Sequence, residues 1–401
     1  MSTSTEDNPQ LFQSDKKNKK LSLCTEGILY DVLDKIFSSL SLKDLHRAAA
    51  VCKSWQYVAT KEMSKRNDIQ SLILPIISEN TQVGSNDEDD NEFKEAKYLQ
   101  NSWHISDSLR SFPRLLLCFS DGDSNSTQTS EDFYHHYHQR LKQHCTCLAV
   151  FETLWISMDE TEIMGKTNLG VGISFPCTSK LKINLFSPDD HDMMHFGSDN
   201  LLQKLAIRAA NTIINNGQEH NCIIFLSNQT EAFEYIEASY NRLFLFEFMR
   251  CLRFKCKPGT FSLWGGEVLD MTTDICDIDR KCLAWSVALG ISGTAMKSWS
   301  IVLKSNLSTL DAHNNLIVWK NEITLNRNTI ALAMVPSNEY ENSEQRIEKI
   351  KIFRKVFPDT SLTTFYNKEE FIQIGLNSLS TDPNQMLEHK NSLVFLIIST
   401  K

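Results

Sequence analysis

Residues 28–60 read ILYDVLDKIFSSLSLKDLHRAAAVCKSWQYVAT, and this stretch decides how the N-terminal part of the chain folds. Its apolar side chains recur at i, i+4 and i+8, which is the spacing of a broad helical stripe. Ser41 is placed as an N-cap with Asp44 three residues later, which predicts a second helix. A third apolar segment follows at 51–58. A unit this small rarely folds alone, so we expect part of its apolar surface to be covered by another protein or by the rest of the chain.

The pattern resembles the F-box, the adaptor-binding module of cullin-type ubiquitin ligases. Three motifs carry the resemblance: VLxxIFxxL at 32–40, LxxLxxA at 42–48 and VCKSW at 51–55. The family usually opens with Leu-Pro, whereas this chain has Ile28-Leu29, so the Pro that rigidifies the entry to the first helix is missing. An ordinary helical hairpin inside a larger helical domain is the alternative interpretation.

The resemblance implies that these helices dock on a Skp adaptor, and through it on cullin and RING subunits. Some of the motif residues would contact the adaptor and others would hold the helices together, and the sequence does not divide them. The candidate adaptor-binding residues are Leu33, Ile36, Phe37, Leu40, Leu42, Leu45, Val51 and Trp55.

Composition narrows the class of protein. The 401 residues are 41% hydrophobic and 23% charged, as in a globular protein of two or three domains. A net charge of −9 argues against nonspecific nucleic-acid binding. The eleven cysteines are scattered, which suits free thiols in a reducing compartment. With a polar N-terminus and no long apolar run, we expect a soluble cytoplasmic or nuclear protein without a membrane segment.

The sequence predicts four regions. The segment between the two ordered domains contains the acidic loop GSNDEDDNE at 84–92, and its apolar residues 72–77 are expected to pack back against the helices. The regions are a disordered tail at 1–20, the F-box at 21–65, a linker with the acidic loop at 66–97, and an α+β domain at 98–401 with a possible sub-boundary near 255.

Within the α+β domain, several predicted strands follow one another without helices between them, which favours largely antiparallel sheets. Residues 169–175 and 181–186 are predicted to pair with each other. Residues 199–214 and 231–250 are predicted to be helices, the second of them buried. Gly265-Gly266 is interpreted as a tight turn at a strand end. No internal repeat of short period is apparent.

Three further motifs resemble the FIST-type sensory domain: WGGEV at 264–268, VALGISG at 287–293 and FRKVFP at 353–358. Where that family has a Gly-rich segment before its last strands, this chain has FYNKEEF at 365–371. Losing those glycines removes the close backbone approach that a small ligand needs, so the departure favours a platform for protein recognition.

Nothing in the sequence assembles a nucleophile, a base and an oxyanion site, and no phosphate-binding loop is present. The histidines at 135, 136, 138 and 144, near Cys145 and Cys147, lack metal-ligand spacing, so no metal or cofactor is predicted. We therefore expect a non-catalytic substrate-recognition subunit of a Skp–cullin–F-box ubiquitin ligase, which holds a target protein for ubiquitination and degradation. The alternative is a small-molecule-sensing domain that uses the F-box region only as a structural hairpin.

Overall fold

The protein is described here by a computed structural model. The chain divides into two compact units. The described part of the first comprises 30–66 with Leu109 and Ser111, and the second begins at Ile69. The model describes residues 30–66, 69–75, 109, 111, 113–121, 147–153, 155–159, 161–162, 169–178, 180–188, 199–214, 221–228, 235–273, 282–283, 286–294, 296–337, 343–368 and 370–401.

The first unit is a three-helix bundle, as predicted. Its helices are α1 over 30–38, α2 at Leu42–Ala49 and α3 at Lys53–Lys65. The Ser41 side chain accepts a hydrogen bond from the Asp44 N–H, which confirms the predicted N-cap. The buried core of the unit consists of Leu33, Phe37, Leu45, Ala48, Val58 and Ala59.

The second unit is built from sheets, with helices between some of the strands. In chain order the strands are β1 Gln70–Pro75, β2 Pro113–Asp121, β3 Cys147–Thr153, β4 Trp155–Met158, β5 Thr161–Glu162, β6 Leu169–Pro176, β7 Lys182–Phe186, β8 Asn221–Asn228, β9 Phe261–Val268, β10 Asp270–Thr273, β11 Cys282–Leu283, β12 Ser286–Ser292, β13 Met296–Lys304, β14 Asn328–Ser337, β15 Ser361–Lys368, β16 Gln373–Gly375, β17 Glu388–His389 and β18 Ser392–Thr400. The helices are α4 Asp199–Ile213, α5 Tyr235–Lys255, α6 Thr309–Glu322 and α7 Ser343–Val356.

These strands form three sheets with the same internal order. Sheet I is β1-β6-β2-β3-β10-β11, sheet II is β7-β12-β8-β9-β16-β17, and sheet III is β13-β18-β14-β15-β4-β5. Each has one parallel ladder at its centre, β2 with β3, β8 with β9, or β14 with β15. All other ladders between described strands are antiparallel, which confirms the prediction of largely antiparallel sheets.

The shared order reveals a threefold internal repeat. The repeats start at Gln70, Lys182 and Met296, and each contributes six strands. The fourth and fifth strands of each repeat leave it and complete another repeat's sheet. Thus β4–β5 lie in sheet III, β10–β11 in sheet I and β16–β17 in sheet II. Each repeat spans more than a hundred residues, so it does not appear as a short period in the sequence.

The three sheets share a central core, and sheets II and III carry helices on their other faces. The central core draws buried side chains from all three sheets, among them Leu117, Trp264 and Leu396. The other face of sheet II packs against α4 and α5, and the other face of sheet III packs against α6 and α7. Among the residues that the structure describes, no helix is long and apolar enough to span a bilayer.

The predicted pairing of 169–175 with 181–186 was wrong because consecutive strands enter different sheets. The strands predicted at 169–175 and 181–186 exist, but β6 pairs with β1 and β2 whereas β7 pairs with β12. In the same way, the stretch from Cys147 to Ile156 splits between sheets I and III, and the stretch 282–291 splits between sheets I and II. The polypeptide passes from one sheet to the next within a few residues, which an apolar pattern does not reveal.

The N-terminal border of the sheet unit also differs from the prediction. Residues 70–75, which were expected to pack against the helices, form β1, and this strand pairs with β6 over its full length. The segment predicted as a linker therefore contains a strand of the second unit. Leu109 belongs to the first unit, where its carbonyl accepts a hydrogen bond from the Leu42 N–H, one of the four amides that a helix leaves unsatisfied at its start.

Candidate functional site

The structure divides the candidate residues of the helical unit into two groups. Leu33, Phe37, Leu42 and Leu45 are buried, and Leu40 and Trp55 are half-buried against the same core. The Trp55 ring packs edge-on against Phe37, with centroids 5.4 Å apart. All of these except Leu42 belong to the core that holds the helices together or pack against it. Ile36 and Val51 differ, because 49% and 63% of their surface is exposed.

The exposed apolar surface of this unit extends beyond the predicted residues. Val32 lies one helical turn before Ile36 on α1, and both are exposed. Tyr30 and Tyr57 are also exposed, and their rings meet edge-on with centroids 6.4 Å apart. A bundle with a buried core of its own thus exposes five large apolar side chains, Val51 included. A surface of this kind is typical of a protein-binding site.

A buried cation fixes α1 against α3. The Arg66 guanidinium donates to the carbonyl oxygens of Phe37 at 2.9 Å and Ser38 at 3.4 Å, and its Nε donates to the Glu62 carboxylate at 3.3 Å. The carbonyls at the end of a helix lack partners within the helix, so Arg66 caps the C-terminal end of α1. The predicted F-box ended at residue 65, so Arg66, one position further on, was not among the predicted residues.

A second ionic contact lies on the surface between the same helices. Lys61 Nζ is 3.0 Å from Asp34 Oδ2, and Lys65 Nζ is 3.8 Å from the same oxygen. The hydrogen bond from Lys61 lowers the pKa of Asp34, and the same contact raises the pKa of Lys61. Because these side chains are exposed, the contact orients α1 and α3 more than it stabilises them.

The centre of the sheet unit is filled by aromatic side chains. Phe119 lies between Phe151 and Phe365, with ring centroids 5.1 and 4.0 Å away, and Phe365 meets Trp264 at 5.6 Å. The Trp264 indole N–H donates to the Val394 carbonyl at 3.1 Å. Four rings from three sheets thus pack together in the central core.

The glycine pair at 265–266 is not a turn. Both residues lie inside β9, with φ values of 146° and 156°. A Cβ atom on Gly265 would lie 1.8 Å from the Phe225 carbonyl oxygen, and one on Gly266 would lie 2.6 Å from that of Ile372. The pair therefore lets two neighbouring backbones approach β9, which is a structural role.

The described residues give little support for a metal site or a cysteine nucleophile. No group of three His, Cys, Asp or Glu side chains comes together there to hold a metal. The histidines at 135–144 lie outside these residues. Cys222 is buried, and this burial raises the pKa of its thiol to about 12, so it is a poor nucleophile. Cys52 is exposed at the N-cap position of α3.

A shallow pocket lies beside the C-terminal end of α5. Its volume of about 30 Å³ corresponds to a single water molecule. Its lining includes Arg253, Phe261, Leu376 and Leu387. A pocket this small does not hold a metabolite.

Comparison with known proteins agrees with the geometry of the helical unit. Residues 30–68 match the family model described as F-box-like, so the chain carries an F-box-like domain there. An F-box protein of Arabidopsis thaliana, At1g69090, is 27% identical over 168 residues, which cover 38% of this chain and 41% of that protein.

Among solved structures, the crystal structure of a cyanuric acid hydrolase from A. caulinodans matches 83% of this chain and 99% of its own, with 10% identity and a TM-score of 0.41. A likeness this weak says nothing about activity.

Proposed function

We propose that this protein is a substrate-recognition subunit of a Skp–cullin–F-box ubiquitin ligase. The observation that carries the proposal is the exposed apolar surface of the F-box-like unit, which includes Val32, Ile36 and Val51. F-box proteins in general are non-catalytic subunits that bind a Skp adaptor. Covering this surface with an adaptor would bury apolar area that water otherwise contacts.

The mechanism would be proximity. The helical unit would attach the chain to the adaptor, and through it to the cullin and RING subunits, while the sheet unit would hold a target protein. Holding both on one polypeptide raises the effective concentration of target lysines near the ubiquitin-charged enzyme. Under this proposal the chain itself makes or breaks no bond, and the complex would act in the cytoplasm or the nucleus, marking its target for degradation.

The FIST-type assignment of the sheet unit belongs to the same proposal. Its support is that the three motifs fall on defined elements: WGGEV on β9, VALGISG on β12 and the residue after it, and FRKVFP at the end of α7. The filled aromatic centre favours protein recognition over metabolite sensing for this unit.

The test is a pull-down of recombinant Skp adaptor by the full chain and by two charge variants, Ile36→Glu and Val51→Glu. Both side chains are exposed, so the substitutions leave the helical core intact but put a carboxylate into the adaptor contact. We expect at least a tenfold loss of adaptor binding in one or both variants. The matched control is Leu310→Glu on α6, where the side chain is 68% exposed in the sheet unit.

Circular dichroism of each variant checks that the helices are retained. Wild-type protein that does not bind the adaptor would refute the proposal. So would two folded glutamate variants that bind it as well as Leu310→Glu does. Replacing Leu40 and Trp55 by alanine is a poorer test, because both pack on the core and their loss would unfold the unit.

A further inference from the structure

The exposed side of α5 carries an unusual pattern. Arg242, Phe246, Arg250 and Phe254 follow one another at i, i+4 spacing, and all four are exposed. Phe246 is 58% exposed and Phe254 is 91% exposed. Residues four apart on a helix lie on one face, so arginine and phenylalanine alternate along a single stripe. We call these four residues the α5 stripe.

The stripe is not a by-product of a loosely packed helix. The opposite side of α5 is buried through Phe244, Phe248 and Leu252, which pack with α4 against sheet II. The ring of Phe248 stacks on Phe225 of β8 with centroids 5.1 Å apart. The predicted burial of this helix therefore holds for one face only, and the other face shows two phenylalanines to solvent.

The charge of the exposed α5 residues indicates what kind of partner could bind there. From 242 to 255 the exposed residues of α5 are Arg242, Phe246, Arg250, Arg253, Phe254 and Lys255. The one carboxylate in this stretch, Glu247, is half-buried and lies 2.7 Å from Arg250 Nη2. A chain with a net charge of −9 thus presents one helix face whose exposed charges are all positive. Arginine clusters bind acidic motifs, and exposed aromatic rings supply apolar contact area.

We propose that the α5 stripe is the docking surface for an acidic segment of the target protein, one in which carboxylates alternate with large apolar side chains. The carboxylates would pair with Arg242 and Arg250, and the apolar side chains would pack on Phe246 and Phe254. This inference rests on the proposed substrate-receptor function and adds the chemistry of the recognised segment.

An anionic membrane surface and single-stranded RNA are less compatible with the stripe than an acidic peptide segment. A membrane-surface helix needs a wide apolar face, whereas here two rings are separated by an arginine. Single-stranded RNA carries a negative charge at every nucleotide, so the net charge of −9 opposes its approach more strongly than that of a short segment with a few carboxylates. Both enter the test as competing probes.

The experiment uses the full chain and an array of synthetic peptides that carry Leu and Phe four residues apart. One set of peptides has Asp and Glu at the intervening positions, and the other has Lys there. We expect the wild type to retain the acidic set at least tenfold more strongly, with binding that weakens as salt is raised. Phe254→Ser should weaken this binding at least tenfold, and Arg250→Glu should abolish the preference for acidic peptides.

The matched control is Leu310→Ser, which removes an apolar side chain that is 68% exposed on α6 and should leave peptide binding unchanged. Adaptor pull-down by the same variants separates the two proposals, because Phe254→Ser should retain the adaptor fully. Equal retention of acidic and basic peptides, or loss of binding in Leu310→Ser as large as in Phe254→Ser, would overturn the inference. Phe254-dependent binding to phosphatidylserine vesicles or single-stranded oligouridine, without binding to acidic peptides, would also overturn it.

Discussion

Arg66 joins the last turn of α1 to α3 through contacts that are almost entirely shielded from water. Its side chain is only 7% exposed, and its partner Glu62 is 11% exposed. Burying a charge is costly unless every donor finds an acceptor, and here the guanidinium is supplied with two carbonyls and a carboxylate. The relative position of α1 and α3 therefore depends on a residue outside the apolar motif.

We predict that Arg66→Met destabilises the helical unit by about 3 kcal/mol, because it leaves the buried Glu62 carboxylate with only the exposed Lys65, 3.6 Å away, and removes the donor to the Phe37 carbonyl. Hydrogen exchange of the full chain should show faster exchange across 30–65 and unchanged exchange in β9 and β18. Arg47→Met is the control, since that side chain is 61% exposed and its 3.5 Å pair with Asp44 is worth little. Equal protection in the two variants would contradict the prediction.

His389 gives the sheet unit a pH dependence. Burial lowers the pKa of His389 below its ordinary value of 6.5, against the opposing effect of hydrogen bonds to the backbone of Gly375 and Met386. The folded state therefore favours the neutral ring, and the unfolded chain binds the proton more readily. The free energy of unfolding should fall as the pH drops through 6.5, down to the pKa of the folded state.

The measurement is urea denaturation between pH 7.5 and 5 for wild type and His389→Gln, which cannot titrate. We expect the variant to show a shallower decrease, by up to about 1.4 kcal/mol per pH unit. The neighbouring Glu388, whose pKa is raised by burial, acts in the opposite direction and is present in both proteins. Identical slopes would show that His389 titrates alike in the folded and unfolded chains.

At the scale of elements, two helices begin in the same way. Ser41 accepts from the Asp44 N–H at 3.1 Å, and Ser308 accepts from the Asp311 N–H at 3.1 Å. Each serine hydroxyl in turn donates to the aspartate that follows it. Both helices are thus started by a Ser-x-x-Asp pattern that supplies an acceptor for a free N–H and a carboxylate near the positive end of the helix.

Ser41→Ala and Ser308→Ala should each destabilise their unit by about 1 kcal/mol, since each removes the acceptor for a first-turn amide. Amide exchange resolved by NMR should show lost protection at Asp44 and Asp311 respectively. Ser38→Ala is a suitable control, because its exposed hydroxyl only donates back to the Lys35 carbonyl. Loss of protection at Asp44 in Ser38→Ala would mean that the effect is not one of capping.

Elements governed by local signals could be predicted from the sequence, and pairings governed by distant contacts could not. The cap at Ser41, the apolar stripe of α4 and the all-buried β8 follow from neighbours in the chain. Helix α6 was missed although Ser308 repeats the signal read at Ser41, since its apolar residues are mixed with exposed ones such as Leu310 and Val318. Strand partners such as β1 with β6 lie about a hundred residues apart, and local pattern carries no information on them.

The same limit applies to the site. The sequence identifies the F-box-like helices, but only the three-dimensional structure distinguishes the exposed Ile36 and Val51 from the buried residues of the same motifs. The reason is that a helix with apolar residues at i, i+1, i+4 and i+5 has an apolar stripe wider than its partner helix covers. Which edge of the stripe is covered depends on the crossing of α1 with α3, and the Arg66 contact that helps to fix this crossing lies outside the motif.

At the scale of the whole sheet unit, the exchange of strands makes the three repeats depend on one another. The hairpin β4–β5 of the first repeat completes sheet III, which otherwise consists of strands from the third repeat. Asp159 in the turn of this hairpin has a φ of 53°, and its carboxylate accepts from the Leu362 N–H at 2.9 Å and the Ser361 hydroxyl at 3.1 Å. Its own N–H donates to the Leu362 carbonyl.

Asp159→Ala should therefore destabilise the third repeat as well as the first. The substitution removes two hydrogen bonds and places a residue that disfavours positive φ in the turn. Together these effects should lower the free energy of unfolding by about 2 kcal/mol. Calorimetry should show the unfolding transition of the sheet unit at a lower temperature but still as one transition, and hydrogen exchange should rise together in β6 and β18. Asp159→Asn is the control, because asparagine tolerates this φ and keeps one acceptor oxygen. If β6 lost protection while β18 kept it, the repeats would be independent, and the exchanged hairpin would not couple the first repeat to the third.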